Sequence, residues 1–229
     1  MRRAIGFVTL GILAILPVAA SAGSLDLRAG GFLPRADSNL FDDDASLYGR
    51  DGRHLERSDW NGFTGGIGFN STLGRSVELG FNVDVYQKTL HTSYNDFVAQ
   101  DGREIRQSLK LDIVPVGVTL RLIPTGRRAR LAPYVGVGAD LFFYNYEEFG
   151  EFVDFDQVSR PILQDSFQST GVAPGFHVEG GLRVPIGDDF SLVGGLRYQW
   201  ADDDMGDDFR GNRIDLSGTS ATVGINLRF

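Results

Sequence analysis

The sequence predicts an all-β protein, a transmembrane up-and-down antiparallel β-barrel of eight strands with short periplasmic turns and long extracellular loops. Three observations predict it. Beyond residue 22, apolar residues alternate with polar or very small ones in one segment after another, the period-two signature of strands. The connections between these segments alternate between short and long. No later stretch is apolar for long enough to cross a bilayer as a helix, so a membrane location demands a closed barrel.

The first segment is read as a signal for export. Arg2 and Arg3 open it, Ala4 to Leu16 are free of charge, and Ala20-Ser21-Ala22 supplies small residues for cleavage before Gly23. The chain thus divides into a signal peptide, 1–22, and a barrel domain, 23–229. That domain has 207 residues, with 20 basic and 30 acidic side chains once Arg2 and Arg3 are gone. A net charge of −10 with no basic cluster excludes a nucleic-acid partner. With no cysteine, neither a disulfide nor a lipidated cysteine anchor is available.

Eight strand segments are expected near 24–33, 59–70, 76–88, 107–123, 131–146, 171–185, 190–201 and 213–229. Residues 71–75, 124–130 and 186–189 make the short turns. The long loops are 34–58, 89–106, 147–170 and 202–212, and a hairpin hidden in one of them would make ten strands. Within segments the faces separate. Val77, Leu79, Phe81, Val83 and Val85 oppose Glu78, Gly80, Asn82, Asp84 and Tyr86. Val135 to Phe143 alternate in the same way with Tyr134, Gly136, Gly138, Asp140 and Phe142. The fourth segment changes phase near Ile113-Val114-Pro115, and a bulge at the proline is the expected cause.

Alternation does not say which face is inside, since a soluble lipocalin-type barrel would turn its apolar face inward. The polar set favours the membrane reading over the mixed, solvated outer surface of a soluble barrel. Asp26, Glu78, Asp84, Asp112, Asp140 and Glu179 stand against Arg28, Lys110, Arg121, Arg183, Arg197 and Arg228, a balanced set suited to a narrow lumen in which every charge must pair. Trp60, Tyr86, Tyr144, Phe190, Tyr198 and Trp200 are expected in two aromatic girdles.

The chain ends Thr222-Val223-Gly224-Ile225-Asn226-Leu227-Arg228-Phe229. Val223, Ile225, Leu227 and the terminal Phe229 resemble the signal that outer-membrane assembly machinery reads. Almost the whole of 23–229 is similar to the small outer-membrane barrels of the OmpA-transmembrane, OmpX and OmpW kind. Ile113-Val114-Pro115-Val116 through Pro133-Tyr134-Val135-Gly136-Val137-Gly138 is the part most like OmpW. The resemblance implies a Gram-negative cell outer membrane, contact with lipid and lipopolysaccharide, and help from the Sec translocon and barrel-assembly machinery.

One set of residues resembles an enzyme's. His91-Thr92-Ser93 followed by Glu104 is similar to the His-x-Ser plus Glu set of lipid A deacylase barrels, which implies a serine activated by histidine. It lies in an early loop rather than on a late strand, and the rest of that motif is missing. His54 is read as a loop residue and His177 as a hydrogen-bonded lumen residue. The acidic runs at 42–44, 147–154 and 202–208 are solvated loops or weak sites for divalent cations, and none has the spacing of a calcium loop. No catalytic residue, metal or cofactor is assigned. The expected function is structural or surface-interacting, with a lumen plugged by paired charges. A narrow OmpW-like channel for small or hydrophobic solutes is the alternative, and a lipid A hydrolase the second.

Overall fold

The computed structural model describes residues 23–50, 52–126, 129–155 and 157–229, so the expected signal peptide lies outside the described residues. Eight long strands form the barrel: β1 Gly23–Pro34, β2 Gly62–Thr72, β3 Val77–Val98, β4 Glu104–Leu122, β5 Ala132–Val153, β6 Ile162–Pro185, β7 Phe190–Asp204 and β8 Gly218–Arg228. Each pairs antiparallel with the next, and β8 returns to pair with β1 from Ser24↔Arg228 to Pro34↔Gly218. The ring is closed, so no edge is left along the ring itself.

The strands are unequal. β3 to β6 run 19 to 24 residues, whereas the other four run 11 to 15. Two of the expected long loops, 89–106 and 147–170, are therefore mostly hairpin. β3 turns into β4 through a tight connection closed by Ala99 N–H donating to the Arg103 carbonyl at 2.8 Å, with Gly102 at φ 83. Residues 213–215 form a short strand on β7 rather than the start of β8.

No bulge occurs in β4. Its register with β5 runs unbroken from Gln107↔Gly150 to Leu122↔Val135. On the β3 side the pairing lapses opposite Val114 and Pro115, then resumes in the same register. A proline has no N–H to give, and here it sits where none is taken. The apparent phase change has another origin. Up to Val85 on β3, Val114 on β4 and Phe143 on β5 the outward positions are apolar, and beyond them they become Gln87, Thr89 and His91, Asp112 and Lys110, Asn145 and Glu147. The inward positions change oppositely, from charges to Leu90, Leu109, Leu111, Ile113 and Tyr146, all buried.

The first loop folds into the loop end of the ring. Helix α1, Asn39–Leu47, follows Ser38 as N-cap and carries Asp42 in its first turn, where a negative charge favours the helix dipole. Its Leu40, Phe41 and Asp44 are buried together on one face. Phe41 meets Trp60 edge-on at 5.5 Å, and Trp60 approaches Tyr146 of β5 at 6.2 Å. Burying Leu40 and Phe41 contributes about 1.5–3 kcal/mol each. Three of the six aromatics expected in girdles, Trp60, Tyr86 and Tyr144, are thus interior. Phe190, Tyr198 and Trp200 do face outward, with Trp200 stacked on Phe176 at 4.8 Å.

Candidate functional site: the barrel interior

Between the apolar stopper and the turn end, the inward positions carry a connected set of charges. Arg28 grips Asp84 with two bonds, Nε to Oδ1 at 2.8 Å and Nη2 to Oδ2 at 2.6 Å. Asp84 Oδ2 also accepts from Arg197 at 3.1 Å, and Arg197 donates onward to Asp140 at 2.6 Å. Arg121 donates to Glu179 at 2.8 Å, to Asn70 at 3.2 Å and to Asp26 at 3.4 Å, and lies 3.7 Å from Glu78. Its guanidinium also stacks over Tyr134 at 4.7 Å. Arg183 forks onto Glu78 at 3.0 and 3.2 Å, and Asn226 donates to Asp26 at 2.5 Å. Bidentate, charge-assisted bonds of this kind are the ones that offset desolvation of buried ions.

The backbone register explains why these side chains fit. Glycine lies across from the large groups: Gly66 from both Arg28 and Asp84, Gly117 and Gly175 from Asp140, Gly136 from both Arg121 and Glu179, Gly138 from His177. A Cβ at Gly117 would run into the Asp140 carboxylate, and one at Gly138 into the His177 ring. The Tyr-x-Gly-x-Gly pattern of β5 is the trace of this accommodation.

Nine of the twelve charged residues expected in the lumen meet there: Asp26, Arg28, Glu78, Asp84, Arg121, Asp140, Glu179, Arg183 and Arg197. Three do not. Lys110 and Asp112 pair with each other at 2.8 Å on the outward face of β4, above the apolar band, where a half-buried ion pair still in reach of water contributes little. Arg228 reaches the Gly187 carbonyl at 3.1 Å at the turn end. Val223, Ile225 and Phe229 are exposed along the outer face of β8, in step with Leu227.

Sequence reasoning placed Asn82 on the inward face without ranking it and missed Asn70, Thr119 and Asn226, the other neutral linkers of the set. Their signal was inward parity beside the charges, which polarity alone did not rank. His177 is buried with Nδ1 2.5 Å from Asp140 Oδ2 and Nε2 3.0 Å from Thr119 Oγ1. So short a contact with a carboxylate makes Nδ1 a donor, and its approach to Arg197 Nη2 at 3.0 Å is a contact rather than a bond. The order Asp-His-Thr copies a nucleophilic triad, yet Thr119 is wholly buried and its hydroxyl already accepts from Asn82 at 2.7 Å. No substrate atom reaches it.

The hydrolase set does not assemble. His91 Nδ1 is bonded to Ser108 at 2.9 Å across the strand pair, and Glu104 accepts from Arg106 at 3.2 Å. The acidic runs are not all solvated, since Asp44 and Glu148 are buried. Among the described residues no group of three metal-binding side chains occurs.

A family model described as "Outer membrane protein beta-barrel domain" matches residues 7–229. The chain is similar in structure to Neisserial surface protein A, with 14% identity, 91% of this chain and 97% of that one covered, and a TM-score of 0.50. It is also similar to the N-terminal β-barrel domain of Pseudomonas aeruginosa OprF, at 13% identity, coverage of 90% and 97%, and a TM-score of 0.42. For E. coli outer membrane protein W the values are 15%, 92% and 100%, and 0.38. At such identities the likeness concerns the fold alone. No curated protein matches the chain.

Proposed function

Because the chain belongs to the outer membrane protein beta-barrel domain family, we propose that it serves the outer membrane as a closed barrel with a structural or surface-interaction role, neither a channel nor an enzyme. The protein is an integral outer-membrane β-barrel, and its apolar outer band faces lipid. The observation that carries the closed reading is a double seal. The charge network crosses the lumen and leaves a cavity of about 50 Å³, room for a few waters. Above it the first loop fills the opposite mouth with Leu40, Phe41 and Trp60.

In this reading residues 1–22 direct export through the Sec translocon of a Gram-negative cell. Val223, Ile225, Leu227 and Phe229 present the assembly signal to the barrel-assembly machinery. Lys110, Asp112, Asn145 and Glu147, just beyond the band, lie at the depth of lipopolysaccharide headgroups. The hairpins β3–β4 and β5–β6 rise past that depth and carry the surface role.

Single-channel recording of residues 23–229 in a planar bilayer tests the closed barrel. Silence with protein shown to be folded by its altered mobility on unheated gels is the expected result. Discrete, reproducible current steps would overturn it in favour of the channel.

A further inference from the structure

We propose that Asp44 and Glu148, bridged by Tyr146, form a proton-held latch that fastens α1 into the loop-end mouth, and that loss of the carboxyl proton unseats the first loop and uncovers an aromatic vestibule. The proposal rests on the closed-barrel reading, in which the seated loop is one of the two seals.

The latch joins the loop to the wall. Asp44 stands in the last turn of α1, and Glu148 points inward from β5, beyond the apolar band. Tyr146 donates to Asp44 Oδ2 at 2.7 Å, and its hydroxyl lies 3.3 Å from Glu148 Oε1. Tyr48, the residue that ends the helix, donates to Glu148 Oε2 at 3.0 Å. Tyr146 has a single hydroxyl proton and gives it to Asp44, so its contact with Glu148 is a hydrogen bond only when Glu148 is itself protonated and donates. A carboxylate only accepts, so the chain of contacts from Asp44 through Tyr146 to Glu148 needs one proton on the carboxyls.

Among the described residues no cation stands among the groups that act on the pair. The titratable groups facing it are Asp43 on the helix, Tyr48 after it, Tyr94 on β3 and Tyr146 on β5. Cations on neighbouring segments are turned elsewhere: Arg53 onto Asp59, Arg57 onto Asp37 and Asp42, Lys88 onto the Asn61 carbonyl. Burial, with the two carboxyls beside each other, pushes Asp44 well above the usual carboxylate range; burial likewise raises Glu148. A carboxyl raised in the seated form stabilises that form fully in acid. Its contribution falls as pH climbs from the ordinary carboxylate value through the raised one. The seat therefore loosens as pH rises, opposite in sense to acid unfolding.

Trp60 reports the seat. It is 1% exposed and touches Phe41 of α1, and the chain has only one other tryptophan, Trp200. In a Trp200→Phe protein in lipid vesicles, acrylamide quenching of Trp60 should rise several-fold, with a red shift in emission, between about pH 5 and pH 10. Adding Asp44→Asn and Glu148→Gln, which keep hydrogen-bonding amides and remove both charges, should hold quenching low throughout. Trp60 indifferent to pH, or moving identically in the amide variant, would overturn the latch. Should the double variant fail to fold, Glu148→Gln alone takes its place, and an unchanged midpoint there overturns the latch equally. Current through the unaltered protein at neutral pH would sink the closed-barrel reading, while the latch stays judged by Trp60.

Discussion

Replacing Arg121 by methionine isolates the electrostatic cost of breaking the lumen network. Methionine keeps most of the stem and removes the guanidinium, so little packing is lost. Arg121 is 3% exposed and serves Glu179, Asp26, Asn70 and Glu78. After its loss Glu78 keeps the Arg183 fork, and Asp26 keeps Asn70 at 2.8 Å and Asn226. Glu179 loses the 2.8 Å bond to Nε, so most of the penalty falls on that carboxylate. Removing one partner of a buried ion pair costs about 3–5 kcal/mol, a drop of roughly two to three and a half decades in the folding equilibrium. Equilibrium urea unfolding in lipid vesicles, followed by tryptophan emission and unheated gel mobility, reads that loss. A second substitution, Glu179→Gln, should recover about half of it, because the neutral amide no longer demands a cation. A shift below about 1 kcal/mol in Arg121→Met, or no recovery in the double variant, would refute the reasoning.

Other outcomes follow from the same geometry. Leu141→Arg, at an outward position 49% exposed within the band, should cost about 2–4 kcal/mol in vesicles, whereas Asn145→Arg beyond the band should be nearly neutral; equal costs would misplace the band's edge. Arg197→Ala should leave a planar bilayer silent while the first loop is seated, and conductance should emerge only when residues 39–47 are also deleted. Current from the single variant would show that the loop is no seal. Deleting Phe229, which is exposed and packs against Phe69 at 6.2 Å, should lower the amount of heat-modifiable protein recovered from outer membranes without altering the unfolding midpoint of refolded material. An equal loss in both measurements would assign Phe229 to stability rather than assembly.

The ring was legible in the sequence because lipid and lumen impose opposite chemistry on alternate residues. Within 77–86 on β3 and 134–143 on β5 that contrast is uninterrupted, and the face assignments there match the structure. The misreadings come from the level where the contrast inverts. Past Val85 and Phe143 the outside meets water and the inside meets the first loop, so polar residues move outward and apolar ones inward with no change of register. Around Pro115 that inversion imitates a bulge, and it carried Lys110 and Asp112 to the wrong side. Trp60, Tyr86 and Tyr144 went astray for a related reason: an aromatic near a strand end suits either a lipid interface or a stopper. The Asp44–Tyr146 bond joins residues 102 apart, one of them in a loop, and nothing in the local pattern of either residue announces the other.

The charge network also bears on how the protein enters the membrane. Its bonds join positions distant along the chain, Glu78 to Arg183 across 105 residues and Asp26 to Asn226 across 200. An unclosed sheet would offer these groups to hydrocarbon before their partners arrived, and each charge left at that depth costs several kcal/mol. Stepwise insertion of single hairpins is therefore penalised, and the route that keeps the acids and arginines together is one in which curling and insertion proceed at once. The lumen that closes the finished barrel also makes half-built intermediates scarce, because the last strand to dock, through Asn226, completes the hydrogen bonding of Asp26 on the first.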